Sequence, residues 1–150
     1  MSMSSKPQLA IEIADHVATI RIARPAKRNA LSDSLVGQLK RSFEELPAEV
    51  NAVVLHGEGD HFCAGLDLSE LKDHDVFGGI EHSRMWHSAF ERVQFGRVPV
   101  VSVLCGAVVG GGLELACSTH VRVAEPSAFY ALPEGQRGLF VGGGGSVRIP

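Results

Sequence analysis

The sequence predicts one domain of the mixed α/β class. Short runs rich in valine and isoleucine, typical of buried strands, alternate with longer segments whose apolar residues recur at helical spacing. Glycine and proline mark most of the boundaries between them. With 150 residues, 45% of them hydrophobic and 21% charged, the chain is long enough to bury a core of its own.

The N-terminal part predicts a strand pair followed by a helix. Apolar residues alternate through residues 9–23 around Asp15-His16, which predicts two strands joined by a tight turn. Pro25 ends this pattern, and Ser32 or Asp33 is placed to cap the helix. The apolar residues of this helix recur at helical spacing, at Leu35, Leu39, Phe43 and Leu46.

The middle of the chain predicts a strand and two helices. Residues 52–56 are typical of a short buried strand, and residues 69–72 are predicted to form a short helix. Residues 73–79 are expected to be a polar, flexible connection. Residues 80–95 have the apolar spacing of a helix that ends before Gly96.

The last third predicts three strands around a glycine-rich turn. A β-branched run at residues 100–104 predicts a buried strand, and the segment after Gly112 has the composition of a buried helix start. Two further short strands are predicted at residues 121–124 and 128–131.

Composition argues against several classes of function. Fourteen basic and seventeen acidic residues give a net charge of −3, and no Lys/Arg block indicates binding to nucleic acid or to a membrane surface. No apolar run has the length of a secretory signal or a membrane span. The three cysteines lack paired spacing and the seven histidines form no metal motif, so we expect a cytoplasmic protein with reduced thiols and no metal.

The glycine run at residues 110–112 marks a place where the backbone itself approaches a ligand. The free N–H groups of a helix's first turn carry partial positive charge, and residues without a Cβ allow close approach. Glu114 falls within this turn. Its carboxylate is either a structural group matched to the helix dipole or an acid/base group beside an oxyanion site.

Three other loops have candidate functions. The basic loop at residues 26–28 is either a solvated turn or a phosphate contact, and the loop at residues 62–68 could offer backbone N–H groups to a ligand. The four glycines at residues 142–145 lack the G-K-[ST] ending of a P-loop. No dinucleotide-binding fingerprint is spelled out either.

Four ordered motifs resemble those of the enoyl-CoA hydratase/isomerase (crotonase) superfamily. They are I-x-x-P-x-x-x-N-A-L at residues 22–31, F-C-A-G-L-D-L at 62–68, V-x-G-G-G-L-E-L-A at 108–116 and L-P-E-G at 132–135. The resemblance covers residues 9–150. It implies a crotonase-like (ClpP/crotonase) spiral of ββα repeats, with two roughly perpendicular sheets and outer helices, as a single core domain over residues 1–150.

The resemblance also implies the residues of the site. By matching position, Glu114 and Glu134 resemble the two catalytic carboxylates, and Ala64 and Gly111 resemble the two oxyanion-hole donors. The residues that match the CoA-lining regions are Ala26, Lys27, Arg28, Ala64, Gly65, Leu66, Asp67 and Gly110. The family often has lysine directly after the proline of the first motif, whereas this chain has Ala26.

The activity implied by the resemblance is enoyl-CoA hydration, the syn addition of water to a 2-trans-enoyl-CoA to give a 3-hydroxyacyl-CoA. Two carboxylates suit the two proton transfers of that reaction, and two backbone donors suit the charge on the thioester oxygen. The alternatives are a Δ3,Δ2-enoyl-CoA isomerase or another acyl-CoA enzyme of the crotonase family, and a non-catalytic acyl-CoA-binding relative. The presence of both glutamates favours hydration.

The family resemblance carries expectations about partners. The partner is an acyl-CoA thioester, with CoA as part of the substrate and no further cofactor. The family assembles as trimers or dimers of trimers, using a C-terminal helical segment that we expect to be absent from this chain.

Overall fold

The computed structural model describes residues 7–70 and 75–149. The strands are β1 (Leu9–Ala14), β2 (Val17–Ile22), β3 (Ala52–Gly57), β4 (Val100–Leu104), β5 (Ala107–Val109), β6 (Val121–Ala124) and β7 (Phe129–Ala131). The α-helices are α1 (Asp33–Glu44), α2 (Val76–Gln94), α3 (Gly111–Ser118) and α4 (Gly145–Arg148). Single 3₁₀ turns occur at Pro25–Lys27, Leu68–Glu70 and Glu134–Arg137.

The larger sheet has the strand order β1-β2-β3-β4-β6. β1 and β2 form the predicted antiparallel hairpin, and the remaining neighbours are parallel. The two turn residues, Asp15 and His16, both have positive φ, as the tight turn between these strands requires. Parallel neighbours need crossover connections, and helices α1, α2 and α3 lie in those connections.

The smaller sheet is the parallel pair of β5 and β7. The sequence did not predict β5, because its three residues lie between Gly106 and Gly110 and resemble part of a glycine-rich turn. Both glycines have positive φ, 49° and 53°, and they turn the chain sharply into and out of the strand. This short strand directs the following glycines toward the site.

The helices begin close to their capping residues. The Ser32 hydroxyl accepts a hydrogen bond from the Leu35 N–H, as predicted for the start of α1. Helix α2 begins at Val76, four residues before the predicted start, because Asp75 caps it through the Gly78 N–H.

Two sequence predictions near this point are only partly testable. The segment predicted as polar and flexible, residues 73–79, is helical from Val76, and its first two residues lie outside the described ones. The predicted short helix at residues 69–72 corresponds to the 3₁₀ turn Leu68–Glu70, and its last two residues likewise lie outside the described ones.

The core lies between the large sheet and helices α1 and α2. Inward-facing residues of β2, β3 and β4 are fully buried and alternate along each strand. Trp86 and Phe90 of α2 belong to this core and meet edge to face, with ring centroids 5.8 Å apart. The helix thereby forms a rigid wall behind the glycines that open α3.

No helix in the described parts of the chain is both long enough and apolar enough to cross a membrane.

Candidate active site

Two loops approach each other closely at the centre of the candidate site. Gly65 has φ +90°, and a Cβ there would lie 2.7 Å from the Val109 carbonyl oxygen and 3.3 Å from the Gly111 nitrogen. No larger residue fits between the two backbones. Glycine at this position therefore brings the F-C-A-G-L-D-L loop into contact with the start of α3.

The F-C-A-G-L-D-L loop pairs with the first loop of the chain in a short parallel bridge. The Leu31 N–H donates to the Gly65 carbonyl at 2.7 Å, and the Asp67 N–H donates to the Leu31 carbonyl at 2.8 Å. The Ala64 N–H donates to the Arg28 carbonyl at 3.0 Å. This hydrogen bond contradicts the sequence-based assignment of Ala64 as an oxyanion donor, because its N–H already has an acceptor.

Leu66 supplies the free N–H that Ala64 lacks. Successive N–H groups of an extended segment point to opposite sides, so the Leu66 N–H points away from Leu31 while its neighbours bond toward it. Within residues 7–70 and 75–149 this N–H has no hydrogen-bond acceptor. The same holds for the Gly111 N–H in the first turn of α3.

The sequence placed Leu66 among the CoA-lining residues and not as a donor, because the direction of its N–H depends on a partner segment that is distant in the chain. The direction of this N–H follows from the pairing of Leu66 with Leu31, and the motif alone does not reveal that pairing. Gly111, by contrast, lies where the sequence placed an oxyanion donor.

The free donors lie beside a small cavity of about 160 Å³. Leu66, Gly110 and Glu134 all line it. The other lining residues are Ala64, Gly65, Leu68, Val109, Pro133, Arg137 and Leu139. The backbone of Leu66 and the carboxylate of Glu134 thus share one largely apolar space.

Glu134 faces this cavity from the 3₁₀ turn that follows β7. A Cβ at Gly110 would lie only 2.6 Å from Glu134 Oε1, so the carboxylate packs directly on the glycine backbone. Glu134 Oε2 is buried and has no hydrogen-bond partner among the described residues. A buried carboxylate oxygen without a donor is costly, and a water or substrate in the cavity would satisfy it.

Glu114 lies behind the same site and is only 3% exposed. Its Oε1 accepts hydrogen bonds from the N–H groups of Gly143 at 2.9 Å and Gly145 at 2.7 Å. The four-glycine run therefore does bind an anion, but the anion is a carboxylate of the same chain. Sequence analysis missed this role because it compared the run only with nucleotide-binding loops.

Burial raises the pKa of Glu114, and the nearby negative charge of Glu134 raises it further. The hydrogen bonds from Gly145 and Gly143 and the neighbouring His87 lower it, but burial prevails. A carboxyl group whose pKa is raised by burial holds a proton more readily than an exposed glutamate does, which suits a group that must deliver one.

Trp86 supports the Gly111 donor from below. A Cβ at Gly111 would lie 2.6 Å from Trp86 Cζ3. The indole is held in place because its Nε1–H donates to Asp33 Oδ1 at 3.2 Å. The Gly111 N–H is thus fixed by packing rather than by a hydrogen bond of its own.

A second cleft, of about 400 Å³, opens along the first loop. Ala26, Lys27 and Arg28 line it together with residues of the F-C-A-G-L-D-L loop. The Asp67 carboxylate lies at its base, where Lys27 Nζ and Arg24 Nη2 each approach Asp67 Oδ2 to 2.8 Å. Hydrogen bonds from Lys27, Ser69 and Arg24 outweigh burial and hold the pKa of Asp67 well below its usual range.

These contacts divide the predicted CoA-lining residues between the two cavities. Lys27 and Arg28 line the open cleft and Gly110 lines the smaller cavity, while Gly65 and Leu66 belong to the loop between them. Asp67 borders the cleft, but its oxygens are already occupied by its own chain. It therefore organises the cleft instead of contacting a ligand as an isolated charge.

Possible metal ligands are dispersed among the described residues, and Cys63 is the thiol of the site loop. Across the described residues, no three His, Cys, Asp or Glu side chains are grouped so that they could hold a metal ion. Cys63 lies within the site loop, but burial raises the pKa of its thiol to about 12. A thiol that stays protonated is a poor nucleophile.

Leu66 and Glu134 line the cavity, while Gly111 and Glu114 belong to the adjoining first turn of α3. Free backbone donors stabilise negative charge that develops on a carbonyl oxygen, and a carboxylate within hydrogen-bond reach of a bound molecule can transfer protons to and from it. The site is therefore equipped for chemistry next to an activated carbonyl group.

The chain is similar to known proteins along most of its own length. The chain is 34% identical to the enoyl-CoA isomerase/hydratase of Zymoseptoria tritici, over 99% of this chain and 52% of that protein. It is 33% identical to the short-chain-enoyl-CoA hydratase of Clostridium acetobutylicum, over 89% of this chain and 52% of that protein.

Solved structures show the same fold. A crystal structure from Rhodopseudomonas palustris matches with a TM-score of 0.94 and 57% identity, covering 95% of this chain and 55% of that one. Enoyl-CoA hydratase from Bacillus anthracis matches with a TM-score of 0.88 and 30% identity, covering 96% and 57%. The predicted crotonase-like fold is thereby confirmed.

The chain spans about half the length of the relatives that it matches, 52% for the two named above. The family model for enoyl-CoA hydratase/isomerase matches residues 12–150, nearly all of this chain. The chain therefore belongs to the enoyl-CoA hydratase/isomerase family.

Proposed function

We propose that the protein hydrates enoyl-CoA thioesters, adding water across the double bond of a 2-trans-enoyl-CoA to give a 3-hydroxyacyl-CoA. The observation that carries this proposal is the meeting of the free Leu66 and Gly111 N–H groups with Glu114 and Glu134 around one site. Family membership supports an acyl-CoA thioester as the substrate class.

In the proposed mechanism, the thioester oxygen accepts hydrogen bonds from the Leu66 and Gly111 N–H groups. Attack of water on the β-carbon places negative charge on this oxygen, and preorganised donors stabilise that charge most where it develops. Neither N–H has to break a hydrogen bond within its own chain as the charge develops. Little structural reorganisation is therefore needed.

Glu114 and Glu134 would handle the protons. One carboxylate accepts a proton from the attacking water, whose oxygen bonds to the β-carbon, and a carboxyl group delivers a proton to the α-carbon. The unpartnered Glu134 Oε2 is placed to bind that water. Glu114 is held by two backbone N–H groups, which fix the carboxylate while leaving its second oxygen for the reaction.

The cleft beside Lys27 and Arg28 would receive the phosphates of CoA. Lys27 is 46% exposed there and carries the charge needed for a phosphate contact. The family's frequent lysine after the proline is replaced by Ala26 in this chain, and Lys27 provides a cation one position later.

The test is hydration of crotonyl-CoA by the full-length protein, followed as loss of the conjugated-thioester absorbance. Glu114→Gln and Glu134→Gln should each lower kcat by roughly 10²–10⁴ while binding of a saturated acyl-CoA survives. Because both groups act on one water, the double variant should be scarcely slower than the worse single one. Glu44→Gln, in an exposed ion pair with Arg92, is the matched control.

Two outcomes would overturn the proposal. Near-normal hydration in Glu114→Gln, with loss of 3-enoyl-CoA isomerisation only in Glu134→Gln, would favour an isomerase that uses one carboxylate. Tight binding of acyl-CoA without turnover in the unsubstituted protein would favour a non-catalytic binding role.

A further inference from the structure

The ionic cluster of Arg24, Lys27 and Asp67 lies between the CoA cleft and the oxyanion donors. We propose that Asp67 is a positioning residue: with Arg24 it fixes the chain that presents the Leu66 N–H, and through Lys27 it links that donor to the cleft. This inference rests on the proposed function, because it assigns the cluster a role in the same reaction.

Asp67 is immobilised on every side by its partners. Its side chain is 5% exposed, and Oδ2 contacts both Arg24 Nη2 and Lys27 Nζ at 2.8 Å. Oδ1 accepts from the Ser69 hydroxyl at 2.7 Å and from the Ser69 N–H at 3.1 Å. A carboxylate held by four hydrogen bonds fixes the position of its own backbone.

Arg24 connects this carboxylate to the neighbouring loop. Its side chain is 11% exposed, and its Nη1 donates to the Ala30 carbonyl while Nη2 reaches Asp67. The Asp67 N–H donates in turn to the Leu31 carbonyl. Side-chain and backbone bonds therefore clamp the same two segments together, directly beside Leu66.

Leu66 has no hydrogen bond through its own N–H within the described residues, so its position depends on its neighbours. Gly65 on one side is held by the Leu31 N–H, and Asp67 on the other side is held by the cluster. Without the hydrogen bonds of the Asp67 side chain, the backbone on the C-terminal side of Leu66 would be less firmly held. An oxyanion donor acts fully only when its nitrogen lies within hydrogen-bond distance of the developing charge.

Lys27 and Arg24 would divide two tasks between them. Lys27 is half exposed and faces the cleft, so a bound phosphate can draw its ammonium away from Asp67. Arg24 is buried and keeps its contact with Asp67 while this happens. Lys27 is therefore expected to serve substrate binding, and Arg24 with Asp67 is expected to serve the donor.

The experiment compares four variants in the full-length protein: Asp67→Asn, Arg24→Met/Asp67→Asn, Lys27→Met and the control Glu44→Gln. Hydration is measured with crotonyl-CoA and with crotonyl-pantetheine, which lacks the nucleotide. A second readout is the absorbance red shift of bound dimethylaminocinnamoyl-CoA, because hydrogen bonds to its thioester oxygen polarise the conjugated system. Thermal unfolding reports stability separately.

We expect Asp67→Asn to lower kcat about tenfold or more on both substrates and to reduce the red shift, within the roughly 10²–10³ range for complete loss of a donor. Asp67→Asn removes one member of the ion pair that Arg24 forms at 2.8 Å, and the double variant replaces both members of that pair. Stability should recover in the double variant while kcat and the red shift do not. Lys27→Met should mainly raise KM for crotonyl-CoA and leave crotonyl-pantetheine unchanged.

The inference is overturned if Asp67→Asn keeps both kcat and the red shift and only raises KM for the CoA substrate. It is also overturned if the double variant recovers activity together with stability, since Asp67 would then be only structural. If the unsubstituted protein shifts the chromophore but does not hydrate enoyl-CoA, the proposed hydration fails. The red shift in the variants still decides the role of Asp67.

Discussion

Alanine at Gly111 tests how the structure holds the proposed oxyanion donor on α3. Its Cβ would lie 2.6 Å from Trp86 Cζ3 and 3.3 Å from Cη2, and the first separation is shorter than real Cβ contacts. The indole cannot retreat easily, because it is 4% exposed, bonded to Asp33 and packed on Phe90. Gly111→Ala therefore forces the start of α3 to move.

The expected cost has two parts. Overpacking a close-packed core costs about 1–3 kcal/mol of unfolding free energy. The same shift displaces the Gly111 N–H, so kcat for crotonyl-CoA hydration should fall by up to roughly 10²–10³. Trp86→Phe removes the ring atoms that collide, and Gly111→Ala should therefore be less destabilising in that background.

The assay is thermal or denaturant unfolding combined with crotonyl-CoA kinetics on the full-length protein. Gly79→Ala is the matched control, because Gly79 lies within helix α2 and a Cβ there meets no atom within 4 Å. The free energy of unfolding of this control should rise by about 1 kcal/mol, because alanine has a higher helix propensity than glycine, and its activity should be unchanged. The contact between Gly111 and Trp86 would not hold the donor if Gly111→Ala left stability and activity unchanged. The same conclusion would follow if the stability loss were equal with and without Trp86→Phe.

Three further predictions concern Glu114, the neighbouring Gly143 and the effect of a chelator. The raised pKa of Glu114 makes the native state bind a proton more tightly than the unfolded chain, so its stabilising effect is present below the ordinary glutamate pKa and is lost as pH rises through the raised value. Glu114→Gln should be more stable than the unsubstituted protein at neutral pH and flatten its stability profile; an unchanged denaturation profile contradicts this. Gly143→Ala would place a Cβ 2.7 Å from Phe90 Cε2 and 3.0 Å from Glu114 Oε2, so kcat should fall more than KM changes; a change in KM alone contradicts it. Because backbone donors are proposed to stabilise the enolate, hydration should survive a chelator, and loss of activity that zinc or magnesium restores would contradict this.

Local patterns were sufficient for much of the fold. The alternating residues around Asp15-His16 predicted the hairpin, and the β-branched runs predicted β4 and β6 with the same bounds. In these elements, apolar residues recur with the spacing of a strand because one face is buried, and this spacing can be read from the sequence. The ordered motifs then identified the family, which the comparisons confirm.

The misses share a physical cause, namely dependence on distant partners. The three residues of β5 form a strand because they pair with β7. Helix α2 begins four residues before its predicted start because the Asp75 carboxylate accepts a hydrogen bond from the Gly78 N–H. Leu66 presents a free N–H only because the loop pairs with Leu31. Such features depend on tertiary pairing, and local propensity does not encode it.

The role of the four-glycine run also required the fold. Its N–H groups meet a carboxylate about thirty positions earlier, and a side chain at Gly143 or Gly145 would collide with Glu114. From the sequence, both Glu114 and the run were recognised as unusual. Their contact with each other was not predicted.

In the proposed mechanism, the substrate's thioester oxygen lies between the Leu66 and Gly111 N–H groups. A crystal structure of the full-length protein with bound acetoacetyl-CoA measures this directly. We predict that the thioester oxygen lies about 2.7–3.1 Å from both nitrogens, with Glu114 and Glu134 on the side of the reacting carbons. A thioester oxygen bonded to the Ala64 N–H, or bound away from Gly111, would contradict the account.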